Sequence, residues 1–147
     1  MKFVHVTDTH LLDSTKTLFG IDASDNLSQA VASVNKNHKD ACFCAITGDL
    51  THLGEPRAFQ KFKSIINKLL IPWYPIPGNH DLRAEFRKIF NHLSFEDKTF
   101  THYAIHNSSG LFLFLDSLDE GFASGYLCQT RLQWLEKKLN YSAETNT

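Results

Sequence analysis

The sequence predicts an α/β fold: an N-terminal βαβαβα portion, then a β-hairpin and a last helix. Three observations predict it. Short apolar, strand-like runs alternate with amphipathic helix-like segments through residue 90. Each of the three runs ends in a motif rich in polar, metal-ligating residues: Asp8-Thr9-His10, Gly48-Asp49-Leu50 and Gly78-Asn79-His80-Asp81. Beyond these, two further β-like runs face each other across His106-Asn107-Ser108-Ser109-Gly110, a good hairpin loop.

The elements follow in order. Residues 3–6 form a short run with two β-branched valines, ending at the first motif. Residues 26–38 place Leu27, Ala30, Val31 and Val34 at helical spacing, with Ser24 and Asp25 ahead of them as capping-type residues. Residues 41–46 are continuously apolar, as a central parallel strand covered on both faces would be. Residues 55–70 put Phe59, Phe62, Ile66 and Leu69 on one stripe, and Pro56 suits the first turn. Lys61, Lys63 and Lys68 then read as a solvated face. Residues 73–76 make a third strand, and residues 84–90 a third helix. Right-handed crossovers join such a unit. Residues 100–105 and 111–115 are the hairpin strands. In the last helix Leu132, Leu135 and Leu139, with Trp134 beside them, supply an apolar face. Thr130 and Gln133 have capping-box spacing for a helix starting there or slightly earlier.

At 147 residues the chain makes one domain, 1–147, with a real core, and twelve phenylalanines among 42% apolar residues exclude disorder. A net charge of −1 argues against a nucleic-acid binder, which shows a basic stripe. It leaves a small anionic substrate open, because metal ions bring their own positive charge. Nothing reaches the length of a membrane span, and the N-terminus lacks a secretory pattern, so the expected compartment is the cytoplasm. Cys42 and Cys44 flank Phe43 and are expected to share one strand face as buried small hydrophobes.

Ligands of open α/β sheets gather at the carboxyl ends of the strands, where all three motifs lie. If the strands are neighbours, Asp8, His10, Asp49, Asn79 and His80 converge. In an extended segment residues i and i+2 point the same way, so Asp8 and His10 can reach one metal together. Asp49 is the natural bridge between two cations, and Asn79 offers a neutral carbonyl oxygen. Glycines 48 and 78 allow sharp turns and room for ions or phosphate. His80 is then free to donate to a phosphoryl or leaving-group oxygen, with Asp81 holding its ring by a hydrogen bond. Each motif alone is weak evidence, and Gly-Asn-His-Asp by itself fits a turn with a capped helix start. All three in order are hard to obtain by accident. Two divalent metals with a spare histidine are the signature of a metal-dependent phosphoester hydrolase.

The arrangement resembles the calcineurin-like metallophosphoesterase superfamily, and most of all its class III cyclic-nucleotide phosphodiesterases. Leu18-Phe19-Gly20-Ile21-Asp22, Thr47-Gly48-Asp49-Leu50-Thr51, Pro75-Ile76-Pro77-Gly78-Asn79-His80-Asp81, Leu115-Asp116-Ser117, Gly125-Tyr126-Leu127 and Gln133-Trp134-Leu135 all carry the similarity. The resemblance implies part of a β-sandwich flanked by helices, with two divalent ions drawn from iron, manganese and zinc. It assigns Asp8, His10 and Asp49 to the first metal, Asp49 and Asn79 to the second, and His80 as the catalytic histidine. It implies hydrolysis of a cyclic nucleotide or another small phosphodiester, with Asn79 and His80 meeting the substrate.

The family supplies further metal histidines from two later segments, a lone histidine after a strand and a Gly-His-x-His motif. Neither occurs in this sequence. The expectation is an enzyme domain cut short at its C-terminus, with self-association through exposed sheet surface. A repair-type nuclease of the same superfamily and a non-catalytic remnant are the alternatives. Of the other histidines, His52 reads as a solvated loop residue near the substrate mouth. His5 belongs in or beside the first strand, His38 and His92 at helix ends or the surface. His102 and His106 would share a strand face but stand too far apart to chelate one ion.

Overall fold

The computed structural model describes residues 1–13 and 17–145. Strand β1 (Val4–Val6), helix α1 (Ala23–Asn37), β2 (Cys44–Thr47), α2 (Pro56–Ile66), β3 (Trp73–Ile76) and α3 (Arg83–Ile89) follow in that order. The three strands form one parallel sheet, β1-β2-β3, with Val4 beside Cys44 and Cys44 beside Trp73. Pro75 is tolerated inside β3 because β3 lies at the sheet edge, where one row of amide groups has no strand to meet.

Alternation along β2 sends its side chains to opposite faces. Cys44 and Ile46 join Leu27, Val31 and Val34 of α1, Phe59 and Phe62 of α2, and Phe86 and Phe90 around α3 in the larger core. Phe43 and Ala45 turn the other way, toward Ile76, Tyr103 and Phe114. The continuous apolar run expected of a doubly covered strand is therefore borne out, with helices on one face and a hairpin on the other. That hairpin, β4 (Tyr103–Asn107) and β5 (Gly110–Phe114), turns at Ser108 and Ser109. Tyr103 stacks on Phe114 and its hydroxyl donates to the Pro75 carbonyl at 2.8 Å, tying hairpin to sheet.

Several local expectations are corrected. Helix α1 begins three residues early because the Asp22 carboxylate accepts from the amides of Ser24 and Asp25, so Asp22 is the N-cap. Residues 100–102 stay out of β4, since the Thr101 amide and hydroxyl both donate to Asp116 Oδ2 instead of to a strand. Helix α4 (Gln129–Thr145) takes the slightly earlier start that the capping-box reading allowed, with the Cys128 carbonyl accepting from Leu132. Its leucine stripe does not face the core: Leu132 and Leu139 are exposed, and α4 docks through Arg131, Trp134 and Lys138. Lys63 is not merely solvated, because its ammonium donates to the Ile89 carbonyl at the end of α3.

The cysteines separate. Cys44 is fully buried and its thiol is pushed up to about 11 by that burial, but Cys42 is exposed, outside β2. No helix among the described residues is long and apolar enough to cross a membrane.

Candidate active site

The parallel pairing does not stop where β1 and β2 end. Asp8 donates its amide to the Gly48 carbonyl, His10 to Asp49, Leu11 to Leu50, and His52 back to Leu11. The two loops thus leave the sheet together, with Leu11 bridged to Thr51. Along this run Asp8, His10 and Asp49 have φ of 57°, 44° and 49°. A left-handed backbone is uncommon outside glycine, although Asp and His tolerate it better than most residues. Each such residue costs roughly 1–3 kcal/mol, so three in one cluster mark a site where geometry is held against strain.

These kinks correct the expectation of an extended Asp8-Thr9-His10 segment. Asp8 and His10 do meet, with His10 Nε2 3.6 Å from Asp8 Oδ1, but left-handed turns bring them there. His10 Nε2 also stands 3.7 Å from Asp49 Oδ2. Ligand atoms of Asp8, His10 and Asp49 all lie within 4.8 Å of one another. Two carboxylates and an imidazole at that spacing match the hard oxygen and borderline nitrogen donors that first-row divalent ions take. The donor set fits a metal.

Gly78 serves packing more than ion space. A Cβ there would sit 2.3 Å from the Asp49 amide nitrogen and Oδ1, and one on Gly48 would sit 2.9 Å from the Gly78 Cα. The ends of β2 and β3 therefore touch backbone to backbone, and the gap left by Gly78 is filled by the Asp49 side chain. The His80 amide donates to Asp49 Oδ1 at 3.0 Å, fixing that carboxylate from the third loop. Asn79 is exposed and lines a cavity of about 460 Å³ with Thr47, Gly78, Phe112 and Ser117.

Asp81 does not hold the His80 ring. Its carboxylate is buried and accepts from the amides of Leu50, Thr51 and Gly78 and from the Thr51 hydroxyl. Burial pushes its pKa up against those four bonds. Asp81 is thus a clasp between the second and third loops, which is the turn alternative the motif also allowed. The His80 ring is held by a carbonyl instead: Nδ1 lies 2.8 Å from the backbone oxygen of His52. A carbonyl only accepts, so Nδ1 carries the proton.

His52, expected as a solvated loop residue near the substrate mouth, instead packs among the site histidines. It is half-buried, its ring stacks on His80 at 5.1 Å, and its Nδ1 lies 3.5 Å from His10 Nδ1. Burial, then the neighbouring His80 and His10, push its pKa down. The Leu11–Thr51 pairing that carries it beside His10 is a tertiary contact with no local sequence signal. The histidines thought remote stay remote. His102 is buried against Phe100 and Trp134, ahead of β4, while His106 is exposed within it, so they share no strand face. His5 lies in β1 against the Thr47 hydroxyl, His38 ends α1, and His92 is exposed.

A second hollow, of about 340 Å³, opens beside Asp8 and His10 and is walled by Leu18, Phe19, Ile21 and Leu27. Its lip is a tight turn in which Leu18 and Ile21 exchange amide–carbonyl bonds, leaving Phe19 exposed at φ 51°.

Compared with known families, residues 1–143 match the model of the calcineurin-like phosphoesterases. The chain belongs to that family. A probable cyclic nucleotide phosphodiesterase of Rhodopseudomonas palustris is 36% identical over 95% of this chain and 52% of its own length. The glycerophosphodiester phosphodiesterase GpdQ of Enterobacter lignolyticus is 29% identical over 100% and 54%. The 3′,5′-cyclic adenosine monophosphate phosphodiesterase CpdA of Escherichia coli K12 is 25% identical over 100% and 53%. The chain spans about half the length of these curated relatives. Calcineurin-like phosphoesterases use divalent metal ions, and the described residues offer two candidate groups for one, Asp8 with His10 and Asp49, and His10 with His52 and His80.

Proposed function

We propose that this calcineurin-like chain carries part of a dinuclear phosphodiesterase site, acting on a small phosphodiester, with a 3′,5′-cyclic nucleotide the favoured substrate. The observation that carries the proposal is the convergence of Asp8, His10 and Asp49 at the end of a strained loop pair, with His80 edge-on to His10 at 4.7 Å. Asp8, His10 and Asp49 would hold the first ion, and Asp49 and Asn79 the second, from iron, manganese or zinc. Such an ion pair supplies a water of lowered pKa and neutralises phosphate charge.

The chain's own residues supply the rest. His80, with Nδ1–H committed to the His52 carbonyl, leaves Nε2 to the departing oxygen, and the doubly protonated ring can deliver its Nε2 proton there. The His80 amide holds Asp49 so that its carboxylate cannot swing away. The apolar hollow beside Asp8 suits the organic group of the diester. Named relatives acting on cyclic nucleotides and on glycerophosphodiesters support a diester over a monoester. We place the protein in the cytoplasm, supported by three unpaired cysteines.

The test pairs two proteins. The 147-residue chain alone is assayed for manganese-dependent hydrolysis of an aryl phosphodiester. A chimera joins the chain to the second half of the Rhodopseudomonas relative. The expected result is no turnover by the chain alone and turnover by the chimera, abolished by Asp49→Asn. A folded, metal-loaded chimera that fails to hydrolyse the diester overturns the proposal. Salt-sensitive DNA binding by the chimera, with nuclease activity, would favour a repair-type enzyme instead.

A further inference from the structure

The His10 ring has a distinct neighbour at each nitrogen. Nε2 faces the carboxylates of Asp8 and Asp49, and Nδ1 faces Nδ1 of His52 at 3.5 Å. A neutral imidazole carries one proton, so the nitrogen that offers a lone pair to a cation must leave the proton on the other. For Nε2 to be bare, Nδ1 must be the donor and needs an acceptor. Among the described residues, His52 Nδ1 is the partner recorded for it. His80 is set in the same sense by the same residue, through the His52 carbonyl at 2.8 Å.

We propose that His52 is a positioning residue that sets the tautomers of both site histidines: its ring fixes His10 and its backbone carbonyl fixes His80, so Nε2 of each is the nitrogen left to the site. The inference rests on the metal-site reading above and adds a role for the His52 ring, which that reading does not use. His52 can do this because its own amide is hydrogen-bonded to Leu11, which locks the residue between the two loops. It then carries its proton on Nε2.

Direct ligation by His10, His52 and His80 is the rival arrangement, since ligand nitrogens of the three lie within 4.8 Å. In that arrangement His10 would turn Nδ1 to the ion and leave Nε2 against two carboxylates, whereas the His80 Nδ1 is already committed to a carbonyl.

Long-range ¹⁵N–¹H NMR of the metal-free 147-residue chain, at a pH where its histidines are neutral, reads the tautomers directly. The expected spectrum shows His10 and His80 as Nδ1–H and His52 as Nε2–H. In His52→Ala, His10 shifts toward the Nε2–H form while His80 stays unchanged, because its partner is backbone. Zinc affinity falls about 10-fold, as for loss of other groups that orient a metal ligand. His52→Gln, whose amide oxygen can accept, restores the His10 tautomer. An unaltered His10 tautomer in His52→Ala overturns the proposal. So does a direct coordination shift of a His52 nitrogen on adding zinc. The tautomers are read without metal or substrate, so a failure of the chimera to hydrolyse diesters leaves this result independent.

Discussion

The two halves of the molecule are held together in different ways. In the N-terminal half, α1, α2 and α3 bury leucine, valine and phenylalanine stripes against one sheet face, and the motif loops leave that sheet still hydrogen-bonded to each other. In the C-terminal half, the hairpin strands are mostly half-buried and α4 keeps its leucine stripe in solvent. The hairpin packs Tyr103 and Phe114 on Phe43 and Ile76, but what fastens the segments after it is polar. Arg83 grips the buried Asp116 through two nitrogens at 2.8 and 3.2 Å, and Arg131 donates to the Asp116 and Leu118 carbonyls. The site therefore sits on the half whose helices pack through apolar stripes, while the second half is attached through the apolar hairpin face and a buried ion network.

This difference predicts separable effects. Arg83→Met should be the most destabilising change, by about 3 kcal/mol, because it leaves the Asp116 carboxylate buried without its main partner. Chemical denaturation will measure it, with metal affinity unchanged. Gly78→Ala should cost about 2 kcal/mol through overpacking and also weaken metal binding, since the new Cβ displaces Asp49. If it lowers stability alone, the account of Gly78 fails.

The pH response should follow the same line. Burial works to raise Asp116, but hydrogen bonds from Arg83 and Thr101 outweigh it and hold the carboxyl below the usual range. A depressed folded-state pKa gives stability that is present above the ordinary aspartate value, about 4, and is lost as pH falls through the folded value. Acid titration followed by Trp134 fluorescence should therefore report the C-terminal half loosening below about pH 4, and Asp116→Asn should flatten that acid limb. Least in size is self-association. The solvent-facing Leu132 and Leu139 predict concentration-dependent assembly in sedimentation, reduced by Leu132→Glu. A clean monomer at all concentrations would remove that stripe from the account.

Much of this was legible in the residues. The strand runs ending at Asp8, Asp49 and Asn79 were local signals, because apolar composition sets a buried strand and polar residues must follow where it meets solvent. The Gly48 and Gly78 positions were visible as special, although the backbone contact that requires Gly78 was not. Asp81 was misassigned because the sequence shows its neighbour His80 and hides the amides of Leu50 and Thr51 across the loops. His52 escaped for the same reason: its place beside His10 comes from pairing between segments 40 residues apart. The leucine face of α4 misled because helical spacing tells which residues share a face, not which face meets the protein.

The most direct test of the central claim is a manganese titration of the 147-residue chain and its Asp49→Asn variant, followed by electron paramagnetic resonance. A saturable site is expected in the chain and is lost in the variant. Binding of equal strength in both, or none in a folded chain, would contradict the assignment of Asp8, His10 and Asp49 as a metal site.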